Sequence, residues 1–181
     1  MQVLVTGFGP FGENRVNPSQ LVIERLGGVI LPVSAERTPR ALGAAVEQRQ
    51  PDAILMLGLA EKRDEIQIER VAINVLDFRI PDNDGKQPVD EPVVEDGPAA
   101  YFSNVPLKAI VAAWEEAGIK GSLSNSAGTF TCNQALYTAL HRGLRAGFIH
   151  LPPLNKVSLE VMVRAVEIAR DVIGAPAPLP R

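Results

Sequence analysis

One cysteine occurs in the 181-residue sequence, Cys132, within SNSAGTFTCNQALY (residues 124–137), where a strand-like run gives way to a helix-like one. A thiol so placed is either a small buried hydrophobe or a nucleophile. Thr131 followed by Gln134 fits a capping box, which predicts Thr131 as N-cap and Cys132 as the first helical residue. Partial positive charge at a helix N-terminus favours the anion of a thiol whose ordinary pKa is near ~8.5. His141 and His150 are the two histidines that could assist it. His141 lies nine residues further along the same predicted helix, roughly 13.5 Å up the axis, beyond reach of the thiol. It is expected at the surface, favourable to the helix C-terminus. His150 closes the strand-like GFIHL, and in open parallel α/β sheets the carboxyl ends of strands line the crevice where ligands bind. The strand before Cys132 is expected to end at the same edge, which would let the two side chains meet. Such a pair needs a third group to orient the imidazole, and Glu69 is a candidate among many carboxylates. Spacing alone leaves a catalytic pair and an inert buried cysteine both open.

The glycine-rich GFGPFG (residues 7–12) raises a rival chemistry, phosphate binding. Pro10 removes one amide donor and no Lys-Ser/Thr follows, so that signal is weak. Phe8 and Phe11, three apart in a loop after a strand, either pack as core or wall a small apolar pocket.

These residues need elements to hold them. Aliphatic runs at QVLVT (2–6), VILPV (29–33) and AILML (53–57) are each followed by turn residues and helix-period sequence, an α/β pattern. Asn17 suits an N-cap, Pro18 the first helical position, and Gly27 or Gly28 the end of the first helix. TPRALGAAVEQRQP (38–51) repeats that logic from Thr38. In EIQIERVAINV (65–75) apolar residues alternate at Ile66 and Ile68, then resume one residue out of phase at Val71, Ile73 and Val75. Glu69 and Arg70 sit at the slip, which predicts either a bulge or strand junction that re-aims side chains, or an ordinary slip in an exposed strand. Helical patterns return over residues 106–118, 132–143 and 158–174, with strand-like GSLSN (121–125) and GFIHL (147–151) between them. Residues 80–98, rich in Pro, Asp and Gly, predict an irregular loop that is solvated or faces a subunit and lacks the ligand series of a calcium loop. A frayed tail is expected over 175–181.

Bulk properties narrow the classes. Apolar types at 46% suffice for one core, so one domain over residues 1–181 is expected. Net charge is −3 with Lys and Arg scattered, which argues against nucleic acid as a partner. The first residues lack the features of a signal peptide and no apolar run approaches membrane-spanning length, so a cytoplasmic protein without membrane association is expected. One cysteine closes no internal disulfide, and with two histidines a structural zinc site is short of ligands.

Several motifs in order, VTGFGPFGENRVNPS, ERVAIN, RIPDNDGKQPVDEP, SNSAGTFTCNQALY and GFIHLP, resemble the pyroglutamyl peptidase I family over Leu4 to about Pro152. The resemblance implies a single-domain three-layer α/β/α sandwich with a central twisted, mostly parallel, mixed sheet. It implies a cytosolic cysteine peptidase that removes N-terminal pyroglutamate from peptides, without metal or organic cofactor, as a homo-oligomer. By motif, Cys132 is the nucleophile, His150 the base and Glu69 the orienting carboxylate. Phe8 and Phe11 flank the lactam ring with Asn17 nearby, and Arg79 lies close to the nucleophile as a possible oxyanion helper. Many members carry Gln-Ala-Gly-Gly-Arg where this chain has Leu59-Ala60-Glu61-Lys62-Arg63, which leaves backbone groups of Leu59 to bind the lactam. The interval from Cys132 to His150 is also shorter than usual. A catalytically silent lactam-binding homologue is the alternative.

Overall fold

The aliphatic runs are the middle of a sheet because its central strands are buried on both faces. β1 (Val3–Phe8), β2 (Val29–Leu31), β3 (Ala53–Leu59) and β8 (Ala146–Leu151) lie in the order β2-β1-β3-β8, all parallel. Every residue of β3 and β8 is buried, as expected of strands covered by helices on both sides. β4 (Ile66–Glu69) and β7 (Gly121–Ser124) extend the sheet as β8-β4-β7. They run parallel to each other but antiparallel to β8. The sheet is therefore mixed, and β7 does not end at the same edge as β8, contrary to expectation. The loop after β7 carries the chain to Cys132 instead.

This computed structural model describes residues 1–175, and the tail expected over 175–181 lies, Ala175 apart, outside them. Five helices cover the sheet. α1 (Pro18–Leu26), α3 (Leu107–Glu116) and α5 (Leu159–Gly174) share one face, where Val5, Leu55, Leu57, Ile66, Ile68, Ile149 and Leu151 form the core. α2 (Arg37–Arg49) and α4 (Thr131–His141) cover the other, over Leu31, Ile54, Met56 and Phe148. The result is the three-layer α/β/α sandwich. In α5 the buried residues Met162, Ala165, Val166, Ala169 and Ile173 follow helical spacing, and Ser158 caps its start.

Local signals hold in places and fail in others. Asn17 caps α1, its side chain accepting from the Ser19 amide, Pro18 occupies the first turn and Gly27 ends the helix at φ 73°. Thr38, expected to cap α2, lies inside a helix that opens at Arg37. Ser34 Oγ accepts from the Arg37 amide at 2.9 Å, while buried Thr38 donates to the Pro32 carbonyl at 2.7 Å. The phase slip after Glu69 is a strand junction: beyond Arg70, β5 (Val71–Ile73) leaves the main sheet to pair antiparallel with β6 (Ala100–Phe102). Residues 80–98 carry no helix or strand. Buried Asp82 organises this loop by accepting from the amides of Ala35, Asp84 and Lys86 at 2.7–2.9 Å.

Candidate active site

Side-chain direction explains which residues converge. Along β8, Ile149 and Leu151 face α1 and α5, so Phe148 and His150 face the α2 and α4 layer. Along β4, Ile66 and Ile68 take the first face and leave Glu69 on the second, with the same face as His150. The antiparallel register of Gln67 with His150 and Ile68 with Ile149 then sets Glu69 beside the imidazole. His150 Nδ1 and Glu69 Oε1 are 2.7 Å apart, both side chains buried. The partner is an acceptor, so Nδ1 carries the hydrogen and Nε2 is left as the free ring nitrogen.

Cys132 reaches the same place from α4. Gly58 of β3 is in register with His150, and a Cβ there would stand 2.7 Å from Cys132 Sγ and 2.8 Å from Phe148 Cζ. The thiol thus sits over a glycine because no side chain fits beneath it. Cys132 and His150 line one cavity of about 480 Å³, within the range of small-molecule sites. Its apolar wall comprises Phe8, Phe11, Val33, Leu59 and Phe130, and its rim carries Glu61, Lys62, Asp77 and Arg79. The ring of Phe130 packs against Phe11 and Phe78 at centroid distances of 5.8 and 4.3 Å.

The expected capping box does not form. Phe130 is the N-cap of α4 with no side-chain cap bond, Thr131 is the first helical residue, Cys132 the second, and Gln134 donates to the Ala35 carbonyl at 2.7 Å. The electrostatic expectation changes too. Burial, and secondarily the Glu69 carboxylate, push the Cys132 thiol up to about 12, against smaller lowering effects of Arg63 and of the thiol's own backbone amide. Burial also holds His150 below its ordinary value, more than Glu69 raises it. The helix terminus is present, but at the partly buried Cys132 desolvation outweighs it.

The remaining sequence candidates fall in or around the cavity. Phe8 is both core and wall, 2% exposed, whereas Phe11 is half-buried. Asn17 is buried, its amide nitrogen holding the Gly9 carbonyl at 2.9 Å, so it braces the aromatic loop. Leu59 ends β3 at the cavity floor. Arg79 stands at the rim with Nη2 3.2 Å from Glu61 Oε2. His141 lies away from this cluster, exposed at the end of α4 and 3.0 Å from the Tyr101 hydroxyl. Gly7, Gly9 and Gly12 have phosphate-turn spacing, but the helix such a turn must open begins only at Pro18. No group of His, Cys, Asp and Glu among the described residues is arranged to hold a metal ion.

Three residues of the site have placements that local pattern does not announce. Gly58 sits unmarked within an aliphatic strand, Phe130 follows a polar loop, and Arg63, although it keeps the arginine of the Gln-Ala-Gly-Gly-Arg pattern, shows nothing in local sequence of its reach to Glu69. Asn133, beside Cys132, clamps β5 by accepting from the Ile73 amide and donating to the carbonyls of Ile73 and Val75.

Comparison with known proteins gives a consistent result. A family model described as pyroglutamyl peptidase matches residues 1–173. Pyrrolidone-carboxylate peptidase of Chromobacterium violaceum is 52% identical over 168 residues, spanning 87% of this chain and 80% of that protein. The Vibrio parahaemolyticus protein of the same name is 42% identical over 195 residues, spanning 95% and 92%. Among solved structures, pyrrolidone carboxyl peptidase from Thermus thermophilus superposes with TM-score 0.88 at 43% identity, covering 92% of this chain and 97% of that one. That from Pyrococcus furiosus superposes with TM-score 0.91 at 37% identity, covering 96% and 98%.

Proposed function

This chain belongs to the pyroglutamyl peptidase family, and we propose that it removes N-terminal pyroglutamate from peptides with Cys132 as nucleophile, His150 as base and Glu69 as orienting carboxylate. The carrying observation is the convergence of the buried Glu69–His150 pair and the Cys132 thiol on one aromatic-walled cavity. A neutral five-membered lactam suits a slot of Phe8, Phe11 and Phe130, with Asn17 bracing the loop and Leu59 at the floor. Charged groups stand at the rim, where the peptide beyond the lactam would leave.

The reaction is acyl transfer. As Cys132 Sγ attacks the pyroglutamyl carbonyl carbon, His150 Nε2 takes the thiol proton, and Glu69 stabilises the imidazolium that forms. The imidazolium then protonates the departing amine as the C–N bond breaks, leaving a thioester. His150 next removes a proton from water, which attacks the thioester, and returns it to the thiolate as pyroglutamate leaves. Backbone N–H groups at the start of α4, including that of Cys132, are the oxyanion donors, each typically worth ~3 kcal/mol. Arg79 at the rim is the candidate for additional charge at the oxyanion. A thiol that must stay reduced suits the cytoplasm.

The test is release of a fluorescent amine from a pyroglutamyl amide under reducing conditions, with wild type beside Cys132→Ser, His150→Ala and Glu69→Gln. Loss of turnover in the first two variants is expected, with a fall of roughly a hundredfold or more in the third, whose amide no longer supports an imidazolium. Pyroglutamate binding without wild-type turnover would favour the silent lactam-binding alternative. Undiminished activity in Cys132→Ser would end the thiol mechanism.

A further inference from the structure

Arg63 follows β3 in the short connection to β4 and is only partly exposed, at 24% of its side chain. Its guanidinium reaches across the ends of two other strands. Nη1 donates to Glu69 Oε1 at 2.7 Å, and Nη2 donates to Ser124 Oγ at 3.1 Å and to the Ser126 carbonyl at 3.0 Å. Two features make this more than a surface ion pair. Arg63 and His150 Nδ1 bond the same carboxylate oxygen, while Glu69 Oε2, also buried, bonds no described residue. And Ser126 opens the wall of the cavity, the segment that runs through Gly128 and Phe130 into Cys132.

We infer that Arg63 is a positioning residue for the reaction, its planar fork fixing the Glu69 carboxylate that orients His150 and tying it to the loop that delivers Cys132. The inference rests on the roles proposed above for Cys132, His150 and Glu69. A carboxylate held through one oxygen by two donors cannot rotate to offer its other oxygen to the imidazole without breaking the guanidinium bond. Lysine, a single ammonium on a flexible stem, would not reproduce three directed bonds to three partners.

Charge gives the arrangement a second consequence. Arg63 favours proton loss from both Cys132 and His150. The other charged groups facing the pair are Glu69 from β4 and, at the rim, Glu61, Lys62, Asp77 and Arg79. Whichever member of the coupled pair releases its proton first, removing the guanidinium makes that proton harder to lose. The acid limb of the activity profile must then move to higher pH.

Two substitutions separate fork from charge. In Arg63→Gln, which removes the charge and keeps a side-chain amide, the acid limb of kcat/KM is expected to rise by about one pH unit. In Arg63→Lys the limb is expected to stay while kcat falls roughly tenfold or more, with KM for the pyroglutamyl amide little changed. An unmoved limb in Arg63→Gln, an equal displacement in both variants, or wild-type kcat in Arg63→Lys each overturns the inference. So does loss of kcat that merely follows a lowered melting temperature, because a structural brace would not move the limb. Cys132→Ala is assayed alongside: if it retains turnover, the triad reading fails together with this one, whereas an inactive Cys132→Ala with an unmoved limb refutes the role of Arg63 alone.

Discussion

Gly58→Ala adds one methyl group and should cost the enzyme most of its turnover. Gly58 lies outside the left-handed region, so alanine is compatible with its backbone and any effect is steric. The new Cβ would stand 2.7 Å from Cys132 Sγ, 2.8 Å from Phe148 Cζ and 3.2 Å from Phe148 Cε1. Comfortable contact is about 3.5–4.0 Å, so each of the two nearer overlaps is roughly 1 Å deep. There are two ways out, and both reach the chemistry. Sγ can withdraw, or the ring of Phe148 can move, but that ring is fully buried and packs on the His150 imidazole at 4.8 Å. A displacement of about 1 Å at a reacting group costs on the order of a hundredfold in rate, while overpacking a core position costs about 1–3 kcal/mol. For a chain of this length that is a lowering of roughly 2–10 °C in melting temperature. The assay is kcat for a pyroglutamyl amide together with thermal unfolding. Gly174→Ala serves as the control, since its added Cβ comes no nearer than 3.5 Å to any neighbour. A folded Gly58→Ala enzyme with kcat within about threefold of wild type would refute the steric argument.

Three further outcomes follow from the burial of the site. Iodoacetamide should alkylate Cys132 in the free protein more slowly at neutral pH than it alkylates a free thiol, and the rate should keep rising beyond pH 9, because the thiol is pushed up to about 12; a plateau below neutrality would show a preformed thiolate instead. The same shift has a stability sign: folded-state affinity for the proton exceeds that of the unfolded chain, so this contribution is present below the thiol's ordinary value and lost as pH rises towards about 12. Cys132→Ser should therefore lose less melting temperature than wild type between pH 9 and 11, and an identical loss would contradict it. Phe11→Ala, at a half-buried wall position, should raise KM with little change in stability, whereas Phe8→Ala, within the core, should cost about 3–5 kcal/mol as well; equal melting temperatures for the two would reverse the assignment of slot and core.

Much of this architecture is written in local pattern, and what is not has a physical reason. The α/β alternation is legible because β1, β3 and β8 are predominantly apolar and buried, and Asn17-Pro18 marks α1 because capping chemistry is local. The slip after Ile68 is legible because a period-2 pattern cannot pass from one sheet to another without losing phase. It falls directly after Glu69, whose carboxylate reaches the face of His150 by the ordinary alternation of β4. Strand direction is different. Periodicity reads the same both ways, so nothing in Gly121–Ser124 announces that β7 runs against β8. β5 and β6, three residues each and 26 residues apart between Ile73 and Ala100 in sequence, pair through contacts no local window contains.

The capping box at Thr131 shows how a local rule yields to a tertiary one. Its spacing is correct, yet Gln134 finds a better partner in the Ala35 carbonyl of the α2 layer, and the helix opens one residue early. That single displacement leaves Cys132 in the first turn. What alters its chemistry is burial, and burial depends on the sheet, the aromatic wall and α4 together. A helix terminus favours the thiolate by an amount that holds for an exposed end, whereas desolvation in a cavity grows with everything packed around it. In the proposed reaction Cys132 gives up its proton only as it attacks. Such a reaction needs its proposed base placed in advance, and the 2.7 Å contacts of Glu69 Oε1 with His150 Nδ1 and Arg63 Nη1 hold the imidazole in place.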